Sequence, residues 1–364
     1  MARVTFRNVW KKYGEFPAVK DLNIDCADGT FLSILGPSGC GKSSTMRMVA
    51  GLEHITAGDI LFDDQRINDL APKDRDVAMV FENYALYPHK SVFENMANPL
   101  KLRGQEAGRI KERVTQAAKL LEIGHLLERR PQELSGGQKQ RVAIGRAIVR
   151  EPKLFLFDEP IAHLDAKLRA HMRGEIKHMQ RTLGTTMVYV THDQLEAMSM
   201  ADQIAVMHEG ELQQLGTPRE VYNKPVNAWV AGFVGEPAMN FLTCEVKSER
   251  GNVMLIHPNF SLALKPDQAK RLNGPNNTRT VRMGVRPDAL GISMTKTAEP
   301  AITGEVFVTE LLGGDMIVEV QLADARIRVK TAPEFTGSPG DACHVTVNRD
   351  KWHAFEAESG KAYF

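Results

Sequence analysis

Eight consecutive residues, Gly36-Pro37-Ser38-Gly39-Cys40-Gly41-Lys42-Ser43, fit the pattern G-x-x-x-x-G-K-[S/T] and leave this chain few ways to fold. The pattern carries meaning only between a strand and a helix. Both neighbours can be read here. Phe31-Leu32-Ser33-Ile34-Leu35 is an apolar run of buried-strand length, and Ser44-Thr45-Met46-Arg47-Met48-Val49 predicts the helix that follows. Glycines let successive backbone N–H groups turn toward one point, where the helix N-terminus adds partial positive charge. Such a loop cradles phosphates. Lys42 would reach the β- and γ-phosphates of a nucleotide, and the Ser43 hydroxyl would ligand Mg²⁺.

A parallel sheet around that loop is announced by three further apolar runs. Val77-Ala78-Met79-Val80-Phe81 has the texture of a strand covered on both faces. Leu154-Phe155-Leu156-Phe157 ends in Asp158-Glu159, and a buried parallel strand presents its C-terminal end to the ligand crevice. Asp158 is then placed to hold Mg²⁺ through water and Glu159 to polarise an attacking water. Met187-Val188-Tyr189-Val190 delivers Thr191-His192-Asp193, so His192 would contact the γ-phosphate and report its loss.

Between the first and second of these runs lies different material. The irregular stretch Glu82-Asn83-Tyr84-Ala85-Leu86-Tyr87-Pro88-His89 precedes helical periodicity over residues 92–130, with Val114, Ala117, Ala118 and Leu121 on one face. This predicts a helical insertion in the sheet. Leu134-Ser135-Gly136-Gly137-Gln138 follows, and a helix is expected from about Lys139 to Val149. Ser135 and the paired glycines make a second anion-friendly helix start. If both helix starts act on one nucleotide, they would come from different copies. Tyr13, in the polar run Lys11-Lys12-Tyr13-Gly14, is either an adenine-stacking ring or a plain surface tyrosine.

Composition sets the remaining bounds. At 364 residues, two or three domains are expected. With 46 basic and 45 acidic residues the formal charge is +1, which announces no polyanion-binding surface. Cys26, Cys40, Cys244 and Cys343 are far apart with no C-x-x-C pair, so neither a disulfide framework nor a zinc site follows. The start, Met1-Ala2-Arg3-Val4-Thr5-Phe6, alternates like a strand, and no run approaches the length of a membrane span, so a cytoplasmic chain is expected. After residue 235 the texture becomes short strands split by Gly and Pro: Val281–285, Ile317–320, Ile327–329 and Val345–347. An all-β, barrel-like domain is expected there, with the boundary at Gly235-Glu236-Pro237.

In order and content these motifs resemble the ATP-binding subunits of ATP-binding cassette (ABC) transporters. Within them the chain resembles importer subunits for sugars, polyols and related solutes. The resemblance rests on residues 36–43, 83–89, 134–138 with Arg141, 157–160 and 191–193, and in the tail on Pro237-Ala238-Met239-Asn240-Phe241-Leu242 and Gly284-Val285-Arg286-Pro287. It implies an α/β P-loop ATPase domain over 1–235, with a helical subdomain over about 88–153. An all-β domain over 236–364, similar to an oligonucleotide/oligosaccharide-binding barrel, would follow.

The resemblance further implies two ATPase subunits head to tail, either identical or different. ATP would be bound by Ser38, Gly39, Cys40, Gly41, Lys42, Ser43 and Ser44 of one, with Gly36, Pro37 and Tyr13, and by Ser135, Gly136, Gly137 and Gln138 of the other. Asp165 would link the two sites across the dimer. Ser43, Glu82 and Asp158 would hold Mg²⁺. Tyr84, Tyr87, Pro88 and His89 would meet one of two membrane permease subunits, which an external solute-binding protein loads. The setting implied is the cytoplasmic face of a bacterial inner membrane, with no nucleic acid and with a regulatory protein at the C-terminal domain.

Two positions depart from the family pattern. Glu82 stands where members have glutamine, exchanging a neutral amide ligand for a charged carboxylate that has no donor. It would bind the metal more tightly, repel the γ-phosphate, or alter release after hydrolysis. Ala162-His163 stands where members have Ser-Asn, which removes a hydroxyl expected to bond across the dimer.

Overall fold

Strand and helix alternate through the first part of the chain in the computed structural model, which describes residues 2–249, 252–272, 278–296 and 301–364. The chain divides into two units, Met1–Pro218 and Arg219–Phe364. In chain order the first unit contains β1 (Val4–Tyr13), β2 (Phe16–Cys26), β3 (Phe31–Leu35), α1 (Lys42–Ala50), β4 (Ala57–Phe62), β5 (Gln65–Arg66) and β6 (Val77–Val80). Three helices follow: α2 (Val92–Leu102), α3 (Ala107–Leu120) and α4 (Gly136–Ile148). Then come β7 (Leu154–Asp158), α5 (Ala166–Leu183), β8 (Thr186–Thr191), α6 (Gln194–Met200), β9 (Gln203–His208) and β10 (Glu211–Gly216).

The long apolar runs form one six-stranded sheet in the order β10-β9-β3-β8-β7-β6. Its pairs are parallel except β9 with β10, and Leu35 lies beside Thr191 while Val80 and Tyr189 flank Phe157. Every residue of β3 and of β8 is buried. Leu32, Ile34, Leu154, Leu156, Val188 and Val190 pack with Met46, Met48 and Val49 of α1. Each such side chain contributes roughly 1.5–3 kcal/mol on burial. The C-terminal ends of β3, β8, β7 and β6 therefore come out side by side. That edge carries the chemistry. A second, antiparallel sheet, β2-β1-β4-β5, keeps Val4, Phe6 and Val9 of β1 buried.

The helices α2, α3 and α4 interrupt the sheet between β6 and β7. A capping box starts α2: the Glu94 N–H donates to Ser91 Oγ at 3.2 Å, and the Ser91 N–H to Glu94 Oε2 at 2.8 Å. Ile110, Val114, Ala117 and Ala118 of α3 form its buried stripe. Helix α4 begins at Gly136, three residues before the Lys139 expected from the sequence. The reason is a second capping box, in which Ser135 and Gln138 exchange side-chain and backbone bonds at 3.4 and 3.0 Å. That box draws both glycines into the first turn.

The second unit holds two antiparallel five-stranded sheets, confirming the all-β expectation. One is built around Asn240–Glu249, Thr278–Val285 and Trp352–Glu356, the other around Ala301–Leu311, Met316–Gln321 and Ala342–Val347. Leu242, Val281, Met283, Val318, Val320, Ile327, Val329 and Val345 share one core. Arg286, buried, donates to the carbonyls of Tyr222, Ala231 and Val234 and lies over the Tyr222 ring. It closes the C-terminal end of the helix Ala228–Phe233, which supplies the Ala231 carbonyl, with Val234 as its C-cap. All four cysteines are buried and free.

Candidate functional site

The loop between β3 and α1 is shaped by what its glycines must avoid. A Cβ on Gly41, whose φ is +100°, would stand 2.4 Å from the Ala18 carbonyl oxygen. On Gly36 it would stand 2.3 Å from the Met207 carbonyl oxygen. Only a bare backbone turns here. Lys42 is almost fully buried, and its ammonium donates to the Gly36 and Pro37 carbonyls at 2.9 Å each, which ties it to the loop it follows. Burial pushes the Cys40 thiol up, so it packs as a small apolar group. The Tyr13 hydroxyl is 3.2 Å from Ser44 Oγ and bonded to Glu53, while Lys11 lies 4.6 Å over its ring. This half-exposed ring thus stands beside the first turn of α1.

Asp158, at the end of β7, faces the loop: Ser43 Oγ donates to its Oδ1 at 3.4 Å. Burial lifts the Asp158 carboxyl above its ordinary value, Ser43 and Arg47 oppose that, and the charges of Glu159 and Glu82 add to it. The next residue, Glu159, leaves the strand in left-handed backbone (φ +45°) and donates its N–H to the Val190 carbonyl at 3.0 Å. Such a conformation costs a non-glycine residue roughly 1–2 kcal/mol. It turns the Glu159 carboxylate to His192, with Oε2 2.8 Å from Nδ1.

His192 is itself fixed from both sides. Tyr189 and Thr191 hydroxyls each donate to the buried Glu196 carboxylate at 2.8 Å. Asp193 caps α6, accepting from the Leu195 and Glu196 N–H groups. Burial holds the Glu196 carboxyl above its usual range. Nothing in the local sequence marks Glu196 as part of this support, because its partners lie on the preceding strand.

The structure therefore brings Lys42, Ser43, Asp158, Glu159 and His192 to one edge, with Tyr13 and Ser44 beside them. It does not bring Ser135, Gly136, Gly137 and Gln138 there. The two glycines pack instead near Leu164, Leu168 and Tyr84. Asp165 caps α5, its Oδ1 accepting from the Leu168 N–H at 3.0 Å. Glu82 lies at the end of the neighbouring strand β6, and its Oε1 is 3.2 Å from His163 Nε2. Glu82 and His163, far apart in sequence, are thus in contact.

Beyond Glu82 the chain turns through left-handed residues Tyr84 and Ala85. Their carbonyls accept from the Arg146 guanidinium at 3.0 and 2.6 Å. Buried Asn95 then bonds the backbone of Tyr87 in both directions and donates to the Lys90 and Ser91 carbonyls. Tyr87, Pro88 and His89 stay exposed, with Lys90 4.5 Å from the Tyr87 ring. Sequence reasoning missed Arg146 and Asn95. An asparagine inside an apolar helical face is the one signal of Asn95 that the sequence carries.

A hydroxyl meeting a carboxylate, with a further carboxylate nearby, is an all-oxygen donor set. Mg²⁺ takes one or two carboxylates and completes its shell with phosphate oxygens and water. Among the described residues no three His, Cys, Asp or Glu side chains close into a metal cage. The residues present fit Mg²⁺ bound in company with a phosphate.

Three family models match the chain: one described as ABC transporter over residues 19–162, one as MalK OB fold domain over 235–290, and one as TOBE domain over 283–355. The chain is 46% identical to the trehalose/maltose import ATP-binding protein MalK of Thermococcus litoralis, with all of both chains covered. It is 47% identical to the sn-glycerol-3-phosphate import ATP-binding protein UgpC of Bordetella pertussis, over 99% of each. Among solved structures, the dimeric structure of MJ0796, a bacterial ABC transporter cassette, matches with a TM-score of 0.54 at 31% identity. That match covers 59% of this chain and 99% of the other.

Proposed function

The chain belongs to the ATP-binding subunits of ABC importers, and from that premise we propose that it powers uptake of a sugar, polyol or glycoside by closing with a second ATPase subunit on ATP. It is an ATPase, with a P-loop domain followed by all-β domains of the kinds matched above. Relatives named for a disaccharide and for a polyol phosphate support the solute class.

One observation carries the mechanism. Lys42, Ser43, Asp158, Glu159 and His192 converge on one sheet edge, while the Ser135 helix start lies elsewhere in the same chain. A nucleotide on the P-loop would then be completed by Ser135, Gly136, Gly137 and Gln138 of the second subunit, with Asp165 at the junction. Lys42 and the loop N–H groups bind the β- and γ-phosphates, and Tyr13 offers its ring to the adenine. Glu159 accepts a proton from the attacking water, held in line by His192. Ser43, Asp158 and Glu82 are the residues that would hold Mg²⁺, which supplies charge neutralisation at the phosphates. ATP favours the closed pair over the open one, and hydrolysis removes that preference.

Residues 1–235 form the ATPase domain in this reading, with the helical subdomain over about 88–153. Residues 236–364 form a regulatory and dimerisation domain that receives a regulatory protein. Among the described residues no helix is long and apolar enough to cross a membrane. The chain works at the cytoplasmic face of a bacterial inner membrane through two permease subunits. The exposed Tyr87, Pro88 and His89, on a loop anchored by Arg146 and Asn95, support that contact, with Tyr84 beside them.

The test is the native mass of the tagged complex, extracted in mild detergent with Glu159→Gln to trap ATP. Two permeases with two copies of this chain are expected. One copy beside a different ATPase would make the two sites unequal, and no permease at all would overturn the importer reading.

A further inference from the structure

Glu82 and His163 are far apart in sequence, on either side of the helical insertion. They meet because β6 and β7 are parallel neighbours, so the loops leaving them come out together. The turn carrying His163 is closed by the Ala162 N–H on the Glu159 carbonyl and the Leu164 N–H on the Ile161 carbonyl. These bonds shape the backbone that carries His163, whose Nε2 is 3.2 Å from Glu82 Oε1. Glu82 leaves the same sheet edge as Asp158, which is bonded to the P-loop Ser43, and its charge adds to the lift of the Asp158 carboxyl. A third carboxylate at that edge, beside Asp158 and Glu159, works against the phosphates of a bound nucleotide unless something occupies it.

We propose that, while no Mg²⁺ is bound, His163 is a positioning residue that holds the Glu82 carboxylate against itself and so keeps an otherwise repulsive charge off the nucleotide phosphates. The pair acts as one unit. A carboxylate where an amide would be neutral is tolerated because an imidazole stands opposite it. Removing His163 alone is then more harmful than removing both. The inference rests on the nucleotide site proposed above.

Binding is measured at equilibrium on the full chain, in EDTA, by displacement of a fluorescent ATP analogue with ATP. Both groups are more than half exposed, so the effect is modest: His163→Ala weakens ATP binding by about three- to fivefold. Glu82→Gln added to His163→Ala restores the parental affinity, and His163→Gln, which keeps a donor within reach, stays within about twofold. Parental binding by His163→Ala, or a double variant no tighter than His163→Ala, overturns the proposal. Lys42→Ala in the same assay separates the two layers. Its loss of binding supports the P-loop site, and unchanged binding overturns that site and this inference together.

Discussion

Two carboxylate–imidazole pairs flank Asp158, and they are built differently. Glu159 and His192 directly follow β7 and β8, whereas Glu82 and His163 lie on the loops that leave β6 and β7. In the first pair the distance is 2.8 Å and the carboxylate side chain is 21% exposed; in the second it is 3.2 Å and the carboxylate is 51% exposed. The backbone explains the difference. Glu159 is anchored by its N–H on β8, and His192 is braced by Glu196 beneath and by the capped helix α6 beyond. Glu82 and His163 have only their two loops. One pair is fixed by the sheet, whereas the other reports where two loops stand. A proton acceptor needs the first construction and a charge mask can work with the second.

The contrast predicts a ladder of effects. Glu159→Gln should lower ATP turnover by about 10³-fold, with ATP affinity near parental; phosphate release and equilibrium binding measure the two. Substantial remaining turnover would remove Glu159 as the principal base. His192→Ala should cost about 10²-fold in kcat while KM changes little, since the imidazole acts through Glu159. A large rise in KM instead would make His192 a nucleotide-binding group. Glu82→Gln should leave kcat within several-fold but move the Mg²⁺ concentration at half-maximal turnover, and superimposable titrations would deny Glu82 any metal role. Smallest of all, Glu82→Gln with His163→Asn should shift the thermal midpoint by no more than about 2 °C, because exposed pairs stabilise little. A larger loss would make that pair structural.

Much of this was legible in the sequence because it is written in contiguous runs. The strands β3, β7 and β8 are largely apolar segments, and the residues that do chemistry end them or follow within a few positions. The stripe on α3 follows helical spacing. Helix α4 starts three residues before the expected Lys139 because Ser135 and Gln138 form a capping box that draws Gly136-Gly137 into the first turn. What stayed hidden depends on which strands are neighbours. Glu82 and His163 each stood out as unusual, but their contact requires β6 beside β7 across the intervening helices. Glu196 sits on a helix and serves two hydroxyls on the strand before it, and Arg146 binds backbone carbonyls, which no side-chain pattern reveals. Arg286 was visible as part of a tail motif, while its role in closing a helix end was not.

Helix α4 has 13 residues, so it is a rod about 20 Å long. Ser135 caps one end, and near the other Arg146 grips the carbonyls of Tyr84 and Ala85. Rods with a fixed middle are levers. A tilt of about 10° about its centre would carry each end about 1.7 Å in opposite directions. A group seated at the Ser135 end would therefore be felt at the Tyr84 turn through the helix and the Arg146 side chain. The throw is set by the length of the rod, and the gearing by where α2 and α3 hold it.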